Sequence, residues 1–420
     1  MKKTISILFF IFFAELTLFG SGAWSLYYGF SFRKTVFVLL IICLLIESLK
    51  RGVIYSRWPI IFSLFAIWLI LWAVAVPIYE NTPIEAVKAD VSSMIGLIIL
   101  PLIGASEIHL SHWLALRKWI FFTISISALL HNVIFLIALK YEAFGAIVQL
   151  FMLNFFTASD DGVADKVVVS VSSLDRHYVF WASSSILLVG LYIAISNLIA
   201  KKNTINYLMF INFVMAIYAT GIRAFMMLPL IMFIAYFFFK LVFKLKNKNS
   251  LLRDMLLVGV LIGITIPVLI SIDPSFLSWT GLGQDSSDSL RYEQMMPMLH
   301  TVINNPLMGV GIGGSTSEIR SDVAPWSYEL SILALIMKIG FVGLCVILAV
   351  CVMILNECKI RVHANNKLEL SLLFSFLFGY VFICNTNPFL FSLIGVGIIF
   401  FVFVELNYIN TNVHKNLKVM

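Results

Sequence analysis

Two arginines are the residues best placed for charge chemistry in this chain. Arg223 lies in Thr220-Gly-Ile-Arg-Ala-Phe225, between two apolar runs with almost no loop. A guanidinium there sits at or just below a bilayer surface, where burying it costs about 2.5–3.5 kcal/mol on insertion scales. An anionic ligand or a carboxylate would offset that cost; snorkelling to lipid phosphate is the blander alternative. Arg291 follows Asp285-Ser-Ser-Asp-Ser289, a helix-capping composition. At helical spacing it shares a face with Met295, Met298 and Val302, with Tyr292, Met296 and Leu299 beside it. It reads either as a surface cation paired with Asp288 or as an anion ligand.

The polar residues around Arg291 extend the pattern. Asn304-Asn305-Pro306 ends the helix, because the residue before proline is pushed out of the α region. Gly309-Val-Gly311-Ile-Gly-Gly314 then matches G-x-G-x-x-G literally, but no βαβ unit flanks it and a dinucleotide site is rejected. Close backbone approach or anion contact through exposed amides fits better. Trp326-Ser-Tyr328-Glu329 precedes an apolar run, so Glu329 is either a helix N-terminal carboxylate, favourable with the dipole, or a base or arginine partner. Arg320 adds a cation to the same segment. Lys338, a little over two turns deeper, should face a polar cavity or a carboxylate. His131, Asn132, Arg176, His177 and His300 are further candidates, although a lone histidine is more often packed than catalytic. No His/Asp/Glu set has metal-ligand spacing.

These residues must be positioned by membrane helices. The chain is 61% hydrophobic and only 12% charged, against about a quarter charged in soluble domains. Apolar runs near the length of a ~30 Å hydrocarbon core recur throughout, and without water such runs must be helices. About twelve spans are expected: Ile5–Phe19, Val36–Leu49, Trp58–Ile78, Val91–Ile108, Trp119–Leu139, Tyr178–Ile199, Ile205–Tyr218, Ala224–Phe243, Met255–Ile272, Leu330–Leu355, Leu370–Ile383 and Phe389–Val404. The expected architecture is an all-α polytopic bundle, one integral domain over 1–420. A large, partly helical external loop, Asp273–Glu329, caps it. A second external stretch, Lys140–Arg176, opens with an amphipathic run, Tyr141–Phe156, suited to the interface plane.

Orientation follows from lysine and arginine in short loops. Nineteen of the 29 basic residues fall on one side in this scheme. Both termini are then cytoplasmic, and the net charge of +7 needs no nucleic-acid partner. Met-Lys-Lys followed by Thr4–Phe13 has signal-peptide character, with Ser21-Gly22-Ala23 as a cleavage site. Glu15 interrupts its apolar region, and an uncleaved first span is expected. The five cysteines avoid the long external loops and show no metal spacing, so no disulfide or cysteine chemistry is expected.

Thr220-Gly-Ile-Arg223-Ala resembles the arginine motif that follows a span in the O-antigen polymerase and O-antigen ligase superfamily. Ser289-Leu-Arg291, followed by Asn305-Pro306-Leu-Met-Gly309-Val-Gly311, resembles that superfamily's large periplasmic loop. Tyr328-Glu329, then Leu333, Gly340 and Gly343, is similar to its loop-to-helix return. The motif resemblance covers roughly Ile205–Leu355. Ligases typically carry a histidine about eleven residues before the first helix glycine; here that position is Glu329, which favours the polymerase.

The resemblance implies a GT-C-like, metal-independent glycosyltransferase without cofactor in the bacterial inner membrane, its active site at the periplasmic face. It would join polyprenyl-pyrophosphate-linked oligosaccharide repeat units. Arg223 and Arg291 would hold the pyrophosphate leaving group as bidentate forks. Glu329, with His300 second, would serve as base. Arg176, Tyr292, Asn305, Gly309, Gly311, Arg320, Trp326 and Tyr328 would contact substrate. Membrane lipid is an implied partner, and a chain-length regulator protein is compatible. An O-antigen ligase acting on lipid A core is the nearest alternative. A lipid-linked oligosaccharide flippase or transporter is the alternative from another class.

Overall fold

The computed structural model describes residues 2–18, 25–26, 30–50, 64, 67–94, 113–141, 147–148, 167–171, 176–242, 286–318, 328, 330–357, 367–384 and 393–417. Apart from two short antiparallel ribbons, its regular elements are helical. In chain order they are α1 (Lys2–Leu18), the ribbon of β1 (Ser25–Leu26) and β2 (Phe30–Ser31), α2 (Phe32–Lys50), α3 (Ile67–Tyr79) and α4 (Ile84–Met94). Then come α5 (Trp113–Lys140), the ribbon of β3 (Val167–Val171) and β4 (Arg176–Trp181), a 3-10 turn (Ala182–Ile186), α6 (Leu187–Ala200), α7 (Thr204–Ala219) and α8 (Arg223–Val242). The last four are α9 (Ser286–Asn304), α10 (Ser331–Glu357), α11 (Lys367–Cys384) and α12 (Leu393–Leu417). The chain divides into two compact units, each assembled from three separate stretches.

The first unit comprises Met1–Cys43, His109–Leu282 and Ala364–Gly379. Its centre is α5, 28 residues without proline or glycine, about 42 Å long at helical rise. Phe9 of α1 packs edge-on against Trp113, and Phe121 meets Phe213 of α7. Gly190 of α6 lets three helices converge, since any Cβ there would overlap Phe213 and Ile124. Phe376 of α11 lies against Tyr192, and Phe374 against Phe239 of α8. The turn between α6 and α7 is closed by side chains. Asn203 caps α7 by accepting from the Asn206 amide at 2.9 Å, and Asn206 Nδ2 donates to the Asn197 and Lys201 carbonyls.

His131 and Asn132, inside this unit, each bond to a residue outside their own helix. His131 is fully buried, with Nδ1 2.8 Å from the Ser127 carbonyl and Nε2 2.9 Å from the Ser184 hydroxyl. A carbonyl can only accept, so Nδ1 carries the proton and Nε2 accepts from Ser184. Asn132 Nδ2 donates to Asn212 at 2.9 Å. Both candidates from the sequence therefore act as interhelical hydrogen-bonding glue, as small polar groups do in membrane bundles.

The exposed face of α5 points to the solvent it is built for. Trp119, Phe122, Ile126, Leu129, Val133 and Leu136 are exposed, while Thr123, Ser127 and His131 are buried. A helix apolar outside and polar inside faces lipid. Among the described residues two helices are long and apolar enough to cross a membrane, Trp113–Lys140 and Ser331–Val350, and seven shorter apolar helices accompany them. The protein is thus helical and membrane-associated.

Several expected boundaries change: α5 begins at Trp113 rather than Trp119, α12 runs on to Leu417 rather than Val404, and three further changes fall near candidate residues. Arg176–Trp181 is strand β4, paired with β3 at Val167↔Trp181 and Val169↔Val179, so the helix expected from Tyr178 begins only at Leu187. Bulky β-branched and aromatic residues in this stretch favour a pleated ribbon over a helical turn. The span expected from Val91 starts inside α4, which runs continuously through Asp90. The span expected over Leu330–Leu355 is broken at Gly340. The stretch 95–108, Met255–Ile272 and most of Tyr141–Phe156 lie outside the described residues.

Candidate functional site

The second unit comprises Leu44–Ile108, Gly283–His363 and Tyr380–Met420. Its organising feature is the break in α10. Gly340 has φ 61° and ψ −174°, a conformation essentially restricted to glycine, and it divides α10 into pieces 331–339 and 341–357. A break in an apolar helix frees backbone groups that lipid cannot satisfy. The segment 305–314 satisfies them. Val310 and Gly311 donate their amides to the Met337 and Lys338 carbonyls at 3.0 and 2.8 Å. In return Phe341 and Val342 donate to the Pro306 and Leu307 carbonyls at 2.9 and 3.1 Å.

The same segment is bound to α3 and α4. Leu71–Ala75 of α3 is a π-helical turn, an irregularity common at functional sites. Within it the Trp72 indole donates to the Met308 carbonyl at 2.8 Å, and the Trp72 carbonyl accepts from Ile312 at 2.8 Å. From α4, Asp90 Oδ2 accepts from the Gly313 amide at 2.8 Å and from Lys338 Nζ at 2.6 Å. Both side chains of this ion pair are more than nine-tenths buried. Lys338 thus faces a carboxylate, one of the two environments expected for it. The amide of Gly309 donates to Asn305 and that of Gly314 to Gly311. Every amide from Gly309 to Gly314 is therefore engaged within the fold. Of the two roles considered for these glycines, the conformation is that of close backbone approach, and it leaves no exposed amide for an anion.

A groove of about 430 Å³ lies between the end of α3 and this segment. Leu71, Ala75, Val76 and Tyr79 form one wall with Glu80, and Asn305–Gly309 the other. Asn305 and Gly309 thus share the groove; Glu80, Trp72 and Asp90 join the site although sequence reasoning did not single them out. Asp90 had a signal, as an acidic residue immediately before the span expected from Val91, the complement of an intramembrane lysine.

α9 leads into the groove. Asn304 and Pro306 terminate it as the sequence requires. Gln294 and Met298 form its buried face, and Met298 packs with Tyr328, Ala334 and Met337. Tyr328 is nearly fully buried, and its hydroxyl accepts from the Thr316 amide at 2.6 Å. Tyr292 and His300 lie on the exposed face, with His300 Nδ1 3.1 Å from Asn304 Nδ2.

The remaining candidates are placed by backbone. Arg291 is in the second turn of α9 and Arg176 opens β4. Arg223 is the first residue of α8, after a tight turn in which Thr220 Oγ1 donates to the Ile217 carbonyl and Gly221 has φ 67°. A cation at the positive end of a helix dipole is electrostatically unfavourable unless an anion joins it. Arg320, Trp326 and Glu329 lie outside the described residues, as do the side chains of Arg176, His177, Arg223 and Arg291. Among the described residues no three His, Cys, Asp or Glu side chains converge as metal ligands. Set against protein families, curated proteins and solved structures, the chain matches none.

Proposed function

We propose that this protein is a polytopic membrane glycosyltransferase joining polyprenyl-pyrophosphate-linked oligosaccharide units, an O-antigen polymerase in type. One observation carries the reading. The two stretches on which the resemblance rests, Asn305–Gly311 and the helix bearing Gly340 and Gly343, are laced together by four backbone hydrogen bonds. A helix bundle that only spans the membrane has no need of a broken helix filled by a polar-capped loop; a site at membrane level does.

In this reading the acceptor hydroxyl attacks the anomeric carbon of the donor and the bond to the pyrophosphate oxygen breaks. The acceptor proton passes to Glu329, or to His300, and polyprenyl pyrophosphate leaves. Arg223 and Arg291 neutralise charge developing on the pyrophosphate. Twelve spans put both termini in the cytoplasm and Asp273–Glu329 in the periplasm. About 20 helical residues cross the hydrocarbon core, so a span ending near Leu355 begins near Ile336. Lys338 and Gly340 then lie at its outer edge, where a lipid-linked pyrophosphate would reside.

Deleting the gene and running lipopolysaccharide on a gel tests this. Loss of the ladder with a single repeat unit retained is expected. Loss of all O-antigen would favour a ligase or a flippase instead. The buried Asp90–Lys338 pair is the one observation favouring a transporter, since intramembrane charges often mark transport paths. Here, however, Asp90 also holds the Gly313 amide, as a structural clamp would.

A further inference from the structure

Gln294 breaks the rule that buried polar groups are partnered. It lies on the buried face of α9, only 2% exposed, yet neither Nε2 nor Oε1 has a hydrogen-bond partner. Among the described residues it is the one buried carboxamide with both ends unmade. Its position is not peripheral. It is three residues beyond Arg291 and four before Met298, which packs on Tyr328 at the loop-to-helix return. Helical spacing therefore puts Arg291, Gln294 and Met298 on one side of α9.

A primary amide offers donors at nitrogen and an acceptor at oxygen. Phosphate oxygens would satisfy only the nitrogen, and a polyprenyl chain neither atom. A sugar hydroxyl, which both donates and accepts, or an acetamido group, with N–H and C=O together, satisfies both. We propose that Gln294 is a sugar-recognition residue, taking a hydroxyl or acetamido group of the oligosaccharide through Nε2 and Oε1 together. The proposal rests on the glycosyltransferase reading and adds to it a determinant of which sugar is accepted. A site that hydrogen-bonds a substrate group discriminates against analogues lacking it, because its own buried groups are then left unpaired.

The test uses the full-length protein in lipid nanodiscs, with thermal unfolding and steady-state kinetics on the same preparations. Gln294→Met keeps the side chain's length and removes the unpaired atoms, and Gln294→Leu is a second apolar replacement. Both should unfold at or above the wild-type temperature while kcat/KM for the lipid-linked oligosaccharide falls about tenfold to a hundredfold. Deoxy or deacetylated substrates should then identify the recognised group. Removing it should slow the wild type by a similar factor and leave Gln294→Met unaffected. Wild-type kcat/KM in a Met or Leu variant with raised stability would overturn the proposal and make Gln294 an internal defect. A wild-type protein that neither binds nor extends the lipid-linked substrate would instead overturn the glycosyltransferase reading itself.

Discussion

Arg223 and Arg291 carry the chemical claim at the scale of single residues. Each is expected to be needed for turnover, since each is assigned to the pyrophosphate. Arg→Ala at either position should abolish activity at unchanged membrane levels. Arg→Lys should restore only part of it, because lysine lacks the bidentate fork. Full activity of an alanine variant at equal expression would remove that residue from the leaving-group role. Asp90 and Lys338 make a different claim, about stability. Removing one partner of a buried ion pair strands the other and costs about 3–5 kcal/mol, whereas replacing both with apolar groups costs far less. Asp90→Leu and Lys338→Met should each lower the unfolding temperature sharply, and the double variant should recover much of the loss. Additive losses in thermal unfolding would show that the pair is not coupled as its 2.6 Å contact implies.

At the scale of elements, the break in α10 decides whether the site is built. Gly340→Ala forces a Cβ against the Leu307 backbone in a conformation that L-residues avoid, costing about 1–3 kcal/mol. It should reduce activity and speed hydrogen exchange at the Val310 and Gly311 amides, which donate across the break. Unchanged exchange and turnover would mean that the loop does not depend on the broken helix. Much of the element pattern was legible beforehand. α7 spans Thr204–Ala219 against an expected Ile205–Tyr218, and α9 stops where Asn304-Asn-Pro306 requires. The break was not legible, because a single glycine in an apolar run leaves the composition of the span intact. The ribbon at Arg176–Trp181 was obscured for the opposite reason: its aromatic and β-branched residues are as apolar as the helix they precede. The partner of Lys338 could be anticipated as a carboxylate but not identified, since Asp90 lies 248 positions away and outside every expected span.

For the whole molecule the account requires one orientation in the bilayer. In a background without native cysteines, Ser286→Cys should react with an impermeant maleimide from outside spheroplasts, and Asn247→Cys only after lysis. Labelling of Asn247→Cys from outside would end the twelve-span arrangement. The central claim is that this folded surface performs glycosyl transfer between lipid-linked units. It is tested most directly with purified protein in nanodiscs, supplied with a single polyprenyl-pyrophosphate-linked repeat unit in the presence of EDTA. The account predicts a ladder of longer lipid-linked glycans, with one polyprenyl pyrophosphate released per bond formed, and loss of both in Arg291→Ala. Substrate that crosses the bilayer without being joined, or extension that stops in EDTA and resumes with magnesium, would contradict it.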